Sequence, residues 1–422
     1  MQEITETHHP APRGAIDASD NGVHRRLTTG YFTLEALNSV GAVYYFNYLF
    51  FYMREHFGFG NLNNLLLTAL HGFVYMFSAW NAGRFGHKHG YFFTLRVGFS
   101  GMALALACGG LAPRILGYSH ATLLIELALF VTWTTSMCLT WPSLQTLLSQ
   151  HGTPGGFPRT AGIYNMVWAG AAAVANLTGG ALLEKLGGEI LFWLPAGLLL
   201  IQLALLARLQ KMDAAAPAFQ PVPDVEAGTL PALNPRPIAK ARNFLLLAWL
   251  ANPFAYIAIN GILPVIPKLS ERLELTPAYA GLVCSVWFWA RLGAFVWFWL
   301  WPGWHYRFGW LLGAFLALIG SFTLLLLGSR IWVVITAQVA FGLAVGLIYY
   351  SSLFYSMDVG ESKGKRGGIH EAAIGLGIFV GPAVGVTALH YFPGHLDVGT
   401  WAISGTLVFG LMGLLWLRFR KA

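Results

Sequence analysis

Twelve apolar runs, each long enough to cross a bilayer as a helix, account for most of this 422-residue chain. A bilayer core requires about 20 such residues per helix. The runs cover roughly residues 30–54, 62–82, 91–112, 119–149, 160–183, 188–208, 243–267, 276–301, 309–329, 331–357, 367–391 and 399–417. Backbone groups in lipid must be bonded within helices or closed barrels, and the alternating pattern of barrel strands is missing here. The sequence therefore predicts an all-α polytopic membrane protein with about 12 transmembrane helices.

Charge supports the same fold class. Only 10% of the residues are charged, against roughly 25% in soluble domains, which is too little to cover a water-facing surface. The net charge of +8 comes from basic residues confined to short connections. Such residues determine topology, so we predict the lipid bilayer as a partner and no nucleic acid.

The distribution of Lys and Arg predicts the orientation. With the N-terminus inside, 18 of the 26 basic residues fall in inside segments, 6 fall in outside segments and 2 lie within helices. Cytoplasmic segments carry the excess of Lys and Arg in membrane proteins. We therefore predict that both termini are cytoplasmic, in a membrane of the bacterial inner membrane type.

The connection between the sixth and seventh runs is the longest and is rich in Ala and Pro, which is typical of an extended linker. It divides the chain into two halves of six helices. The predicted segments are a disordered cytoplasmic N-terminal tail (1–28), an N-terminal half (29–208), a cytoplasmic linker (209–242), a C-terminal half (243–417) and a cytoplasmic C-terminal tail (418–422). The fourth run contains Pro142, so it is predicted to kink or end near that residue.

The two halves share a short motif. Gly162-Ile163-Tyr164-Asn165 opens the fifth run, and Gly368-Ile369-His370-Glu371 opens the eleventh, 206 residues later. Gly179 and Gly385 keep the same spacing. A repeat of six and six helices is typical of transporters that hold a substrate between their halves. Chance similarity between glycine-rich helices is the alternative.

This layout resembles the major facilitator superfamily over the whole chain. The stretch from Ala79 to Lys88 resembles the family motif between helices two and three, with Arg84, Gly86 and Lys88 matching in kind and Gly83 in place of an aspartate. The resemblance implies a gating role for these three matching residues. Arg159 and Arg366, next to the repeated motifs, are further gating candidates. The sequence assigns no subfamily.

In that family the first helix of each three-helix unit lines the central cavity, which implies helices one, four, seven and ten here. Polar and aromatic residues recur on one side of these helices at spacings of three and four. The predicted substrate-binding residues are Asn38, Tyr45, Tyr48, Thr135, Asn252, Tyr256, Asn260, Gln338 and Tyr349. Small and polar residues also hold membrane helices together, so packing is the alternative interpretation.

Ionisable residues inside the apolar runs are costly and need a partner or a cavity. Arg291, in the eighth run, is predicted either to bind an anionic group or to pair with a carboxylate. Glu35, Glu126 and Glu371, with His370, are candidate proton carriers. Structural ion pairs that stabilise one conformation are the alternative, above all for Glu371 near a helix end.

These features predict a secondary transporter that moves a small organic solute by alternating access, coupled to protons. The neutral polar residues favour uptake of a polar metabolite such as a sugar. A proton-driven exporter of amphipathic drugs is the nearest alternative, and a non-transporting membrane sensor is a third. The sequence has no phosphate-binding loop and no closely spaced metal ligands, so we predict no enzyme activity, no cofactor and no metal. The chain is predicted to act as a monomer.

Overall fold

A computed structural model of the chain describes residues 18–151, 156–216, 238–358, 363–395 and 397–420. Its helices are α1 (Ala18–Phe57), α2 (Asn61–His89), α3 (Tyr91–Leu116), α4 (His120–Cys138), α5 (Thr140–His151), α6 (Gly156–Leu186), α7 (Ile190–Ala215), α8 (Ile238–Ile262), α9 (Ile266–Arg272), α10 (Pro277–Cys284), α11 (Val286–Leu300), α12 (Phe308–Leu327), α13 (Ile331–Asp358), α14 (Lys363–Tyr391) and α15 (Val398–Phe419). Short 3₁₀ turns cover Leu263–Val265 and Pro302–Trp304. The all-α prediction is confirmed.

Each predicted run corresponds to one helical unit. Three of these units contain a short break and therefore consist of two helices each. The fourth run breaks at Leu139, between α4 and α5. Pro142 explains this break: proline lacks an amide hydrogen, and its ring would clash with the carbonyl of Cys138 in a continuous helix. The seventh run, α8 to α9, breaks at the 3₁₀ turn containing Pro264. The eighth breaks between α10 and α11 at Ser285.

Ten helical segments in the described residues are long and apolar enough to cross a membrane. The first two helices are not in that set, although they have 40 and 29 residues. They carry several buried polar side chains, among them Asn38, Asn47, Asn64 and His71. Neighbouring helices shield these groups from lipid, so α1 and α2 complete twelve helical units within the bundle.

The two halves contact each other through equivalent helices. The second helix of the N-terminal half, α2, packs along α14, and the fifth, α6, packs along α10 and α11. Each half thus contacts the other through its second and fifth helices, as expected for two related halves. An even number of crossings also places the start of α1 and the end of α15 at one end of the bundle, called here the termini face. The other end is called the opposite face.

Two predicted segment boundaries differ from the structure at the termini face. Helix α1 begins at Ala18, so residues 18–28 are helical rather than part of a disordered tail. Helix α7 continues to Ala215 and α8 starts at Ile238, so the linker is shorter than 209–242. The two extensions support each other, since Leu27 is fully buried and the position of Gly30 lies against the Leu209 side chain.

Candidate functional site

Near the opposite face, a polar cluster joins α1 to α6. The Tyr48 hydroxyl donates to the Asn176 carbonyl oxygen at 2.6 Å, and the Asn47 amide donates to the Asn176 side-chain oxygen at 2.9 Å. These groups lie at the contact with the other half, because a Cβ built on Gly281 of α10 would be 2.5 Å from the Tyr48 hydroxyl. Tyr48, a predicted substrate-binding residue, thus lies at a contact between the halves.

Helices α6 and α10 cross at very short range beside this cluster. A Cβ built on Gly180 would be 1.9 Å from the carbonyl oxygen of Pro277. Glycine is required there, because the obstacle is backbone and cannot rotate away. The Glu184 carboxylate also accepts a hydrogen bond from the Ala278 amide at 2.9 Å.

Two further contacts connect the halves at the opposite face. Arg54, at the end of α1, forms an ion pair with Glu271 of α9 at 2.5 Å. The Asn64 side chain of α2 donates to the carbonyl oxygen of Pro264 at 3.1 Å. The opposite face is therefore closed by direct contacts between the two halves.

Toward the termini face, Glu35 forms the centre of a second cluster. Its side chain is 0% exposed and accepts hydrogen bonds from Ser39 (2.8 Å) and Tyr164 (2.9 Å). The Trp141 side chain lies close to the carboxyl. Gln145, which is exposed on α5, lies near the Tyr164 hydroxyl. No basic side chain among the described residues forms an ion pair with Glu35. Polar side chains thus extend from this buried carboxyl toward an exposed polar group on α5.

Arg291 lies where α11 meets α6 of the other half. Its guanidinium carbon is 4.5 Å from the ring centroid of Trp168, 5.3 Å from Tyr349 and 5.5 Å from Phe295. The Trp168 indole donates to Asn165 at 2.8 Å, which fixes its ring. The structure thus brings Arg291 together with Tyr349, another predicted substrate-binding residue, and adds an aromatic contact from the other half.

The remaining predicted residues of α8 and α13 are buried or half-buried in the C-terminal half. Tyr256 is half-buried, with its ring 6.5 Å from that of Tyr349. Asn260 donates to the Tyr256 carbonyl oxygen at 3.0 Å. Asn252 and Gln338 are each 1% exposed. Tyr256 and Tyr349 are the two whose partial exposure and position suit contact with a solute between the halves.

Three predicted substrate-binding residues of the N-terminal half lie elsewhere. Thr135 is exposed, and its hydroxyl accepts from Ser78 of α2 at 3.4 Å. Tyr45 packs inside the half, with its ring 4.8 Å from Trp133 and 5.9 Å from Phe192. Asn38 donates to Thr140 at 3.0 Å within the same half. The contacts of all three residues are thus with the N-terminal half, and helical spacing shows which residues share a side but not where that side points.

Glu126 also lies inside the N-terminal half. It is 1% exposed, and neither carboxyl oxygen has a hydrogen-bond partner among the described residues. A Cβ built on Gly109 of α3 would be 2.8 Å from the Phe192 ring and 3.1 Å from a Glu126 oxygen. This carboxyl is thus enclosed between α3, α4 and α7, apart from the contact between the halves.

Replacing Glu126 with methionine is expected to stabilise the protein by about 1–3 kcal/mol, because a buried polar group without a partner costs that much. Methionine has a similar length and no group that requires a hydrogen bond. Thermal unfolding of the detergent-purified variant measures the change. Glu55→Met, at an exposed position of α1, is the control and should shift stability by less than about 0.5 kcal/mol. A lower unfolding midpoint for Glu126→Met would contradict the prediction.

The candidate gating residues lie around the termini face. Gly86 is buried, and a Cβ there would be 3.1 Å from the Tyr91 ring and 3.6 Å from the Ser143 hydroxyl of α5. Arg84 lies over the Trp80 ring at 5.5 Å, while Lys88 and Arg159 are exposed. The side chains of Arg366, His370 and Glu371 lie outside the described part of the chain.

Two other features lie outside these clusters. A cleft of about 200 Å³ near the opposite face is lined by residues including Asn61, Lys268, Arg272 and Asp397, and by none of the predicted site residues. Within the described ranges, no three His, Cys, Asp or Glu side chains are grouped so that they could hold a metal ion.

Sequence reasoning missed several residues that the structure brings into these clusters. Tyr164 and Asn165 belong to the repeated motif, whose sequence indicates a duplication but no site. Asn176 and Gly180 are neighbours on α6, and their importance depends on helices from the other half. The sequence signal was thus present in α6, but no spacing rule assigns it to a site.

Two pseudo-symmetric six-helix halves, with polar and ionisable groups at the contact between them, define a class of membrane transporter. A sequence profile of the Major Facilitator Superfamily matches residues 137–382, more than half of the chain. The chain belongs to the major facilitator superfamily, and it is an integral membrane protein and a secondary transporter.

Solved structures share this fold at low sequence identity. A variant of the peptide transporter POT in complex with sulfate has a TM-score of 0.69 and 14% identity, covering 96% of this chain and 99% of that one. A bacterial homologue of the human lysosomal transporter Spinster, inward-facing and unoccupied, has a TM-score of 0.65 and 13% identity, covering 94% and 95%. No curated protein matches the sequence. At these identities the likeness shows the fold alone.

Proposed function

We propose that this transporter couples uptake of a small polar solute to protons, by alternating access in a bacterial inner membrane with both termini in the cytoplasm. The observation that carries the proposal is Glu35. It is a fully buried carboxyl without a basic partner among the described residues, and it accepts a hydrogen bond from Tyr164, whose hydroxyl lies near exposed Gln145. A buried ionisable group in a membrane bundle is by default a candidate for function.

Glu35 can change its hydrogen bonds when it takes up a proton. As a carboxylate it accepts from Ser39 and Tyr164. A protonated oxygen becomes a donor and needs an acceptor instead. The Tyr164 hydroxyl can rotate to supply that acceptor, which would alter the contact between α1 and α6. Protonation would in this way change the helix that forms much of the contact with the other half.

The conformation fits one end state of an alternating cycle. The halves are joined at the opposite face by the Gly180 crossing, the Arg54–Glu271 ion pair and the Asn64–Pro264 hydrogen bond. In the proposed orientation the opposite face is the outer one, so this state releases solute toward the cytoplasm. The gating candidates Arg84, Gly86 and Lys88 lie at the other end, where the cycle requires a second closure.

Flux into proteoliposomes tests the proposal. The labelled test solutes would be sugars, organic acids, nucleosides, amino acids and cationic drugs. The outside would be more acidic by about one pH unit, and this gradient stores about 1.4 kcal/mol per proton. We expect one polar solute to accumulate about 10-fold and an uncoupler to abolish the accumulation. Counterflow of amphipathic cations alone would favour the exporter, and flux of no solute would contradict transport of this panel.

A further inference from the structure

The strongest unused feature of the bundle is the set of free donors on Arg291. The side chain is 4% exposed, and its Nε and Nη2 atoms have no hydrogen-bond partner among the described residues. Removing one partner from a buried charge is strongly destabilising, so a guanidinium in this position calls for a counter-charge. In a transporter that counter-charge can arrive with the solute.

Aromatic contacts stabilise only the flat surfaces of the guanidinium. Trp168, Tyr349 and Phe295 lie within 4.5–5.5 Å of its carbon atom. Such cation–π contacts involve ring faces and leave the N–H groups in the guanidinium plane unpaired. The rings therefore hold the group in place without occupying its donors.

The two unpaired atoms have a specific geometric relation. Nε and Nη2 lie on the same edge of the planar guanidinium, with their hydrogens directed the same way. Such a pair matches two oxygens of a carboxylate or phosphate through parallel hydrogen bonds. The Nε and Nη2 groups of Arg291, called here the fork, are thus placed to bind one oxyanion in a bidentate manner.

The backbone around Arg291 is held firmly by α13. A Cβ built on Gly342 would be 3.0 Å from the Arg291 amide nitrogen, and one on Gly346 would be 3.4 Å from its carbonyl oxygen. These close approaches fix where α11 presents the side chain. Trp168, by contrast, belongs to α6 of the other half, so the environment of the guanidinium depends on how the halves are arranged.

Two buried carboxyls of the described residues are held elsewhere. Glu35 accepts hydrogen bonds from Ser39 and Tyr164, and Glu126 is enclosed between α3, α4 and α7. Neither forms an ion pair with Arg291 among the described residues. As far as the described residues are concerned, the fork is therefore open to an external group.

We propose that Arg291 binds the anionic group of the transported solute, so that the substrate class is a small polar metabolite bearing a carboxylate or a phosphate. This inference rests on the proposed transport function and narrows it, because a neutral sugar would leave the fork unpaired. Since Trp168 and Arg291 belong to different halves, the bound anion would have different contacts in the two end states. Such differential affinity is what allows a solute to shift the equilibrium between them.

Binding to the purified full-length protein tests the proposal. Paired probes that differ in charge would be compared by thermal shift and calorimetry: gluconate and glucose 6-phosphate against glucose, and succinate and inorganic phosphate as simpler anions. We expect at least one anionic probe to bind and its neutral counterpart to bind far more weakly. Binding of gluconate or succinate would indicate a carboxylate-bearing solute, and binding of glucose 6-phosphate or inorganic phosphate would indicate a phosphate-bearing one.

Variants then assign the site. Arg291→Gln should lower the affinity for the anionic probe by about 10-fold to 100-fold, which is the effect of losing one or more charge-assisted hydrogen bonds. Arg291→Lys should also lose affinity, because an ammonium group cannot form the bidentate pair. Arg96→Gln is the control: Arg96 is exposed at the start of α3 and donates to Gln210 at 2.6 Å. Its variant should bind like the wild type.

Several outcomes would overturn the proposal. One is that Arg291→Gln binds the anionic probe as tightly as the wild type. Another is that this variant loses affinity for neutral and anionic probes equally. A third is that no anionic probe binds the wild-type protein. Saturable flux of glucose that Arg291→Gln leaves intact would reject the anion site while preserving the transporter. Gluconate binding that depends on Arg291 but never leads to flux would instead preserve the anion site and reject transport of that ligand.

Discussion

Replacing Gly180 with valine is expected to reduce transport below about 5% of the wild-type rate while the protein still folds. The Gly180 position of α6 lies against the Pro277 carbonyl oxygen, and a Cβ there would be only 1.9 Å away. Overpacking costs about 1–3 kcal/mol and occasionally more. A cost of about 3 kcal/mol would lower the ratio of the conformation with a closed opposite face to the one with an open opposite face by about 150-fold.

A crosslink reports the same change directly. The ion pair between Arg54 and Glu271 places these positions of the two halves close together. Cysteines introduced at both positions should crosslink readily in an otherwise wild-type chain and poorly when Gly180→Val is added. Gly170→Val, on the same helix, is the matched control, because a Cβ there meets only the Leu292 side chain at 3.8 Å. Normal flux and normal crosslinking in Gly180→Val would refute the closing role of this crossing.

Replacing Glu35 with glutamine is expected to abolish proton-driven accumulation and to preserve exchange. Glutamine keeps the length of the side chain and can bond to Ser39 and Tyr164, but it cannot take up a proton. With about one pH unit imposed, the accumulation ratio should fall from about 10 to about 1. Counterflow, which needs no net proton movement, should stay within about threefold of the wild type.

Glu55→Gln provides the control for this experiment, since Glu55 is exposed on the same helix. It should accumulate solute like the wild type. Undiminished accumulation by Glu35→Gln would show that another group carries the proton, with Glu126, His370 and Glu371 as the remaining candidates. Loss of both accumulation and counterflow would instead assign Glu35 a structural or substrate-binding role.

The sequence predicted the fold because lipid imposes a strong constraint. Helix length follows from bilayer thickness, so each apolar run identified one helical unit, and Pro142 marked the break between α4 and α5. Boundaries at the termini face were harder to predict. Residues 18–28 and 209–215 are helical because two extensions pack on each other, as at Leu209 and Gly30, which no local pattern reveals.

The site was predicted less completely because its members come from different helices. Periodicity grouped Glu35, Asn38 and Tyr45 correctly on one side of α1, but that side packs mostly inside the N-terminal half. Arg291 stood out because an arginine in an apolar run is costly. Its contact with Trp168 and the crossing of Gly180 with Pro277 depend on the arrangement of the halves, which the spacing of residues within one helix does not contain.

The close contacts of α2 with α14 have a consequence for how this protein can change over evolution. A Cβ on Gly72 would be 2.4 Å from the Phe379 amide nitrogen, and one on Gly375 would be 2.9 Å from the Met76 Cα atom. Backbones that touch without intervening side chains can pivot on each other with little repacking. Arg291 and Tyr349 lie on other helices, α11 and α13. Under the proposed binding role of these two residues, their substitution would change specificity while the contact of α2 with α14 is inherited unchanged.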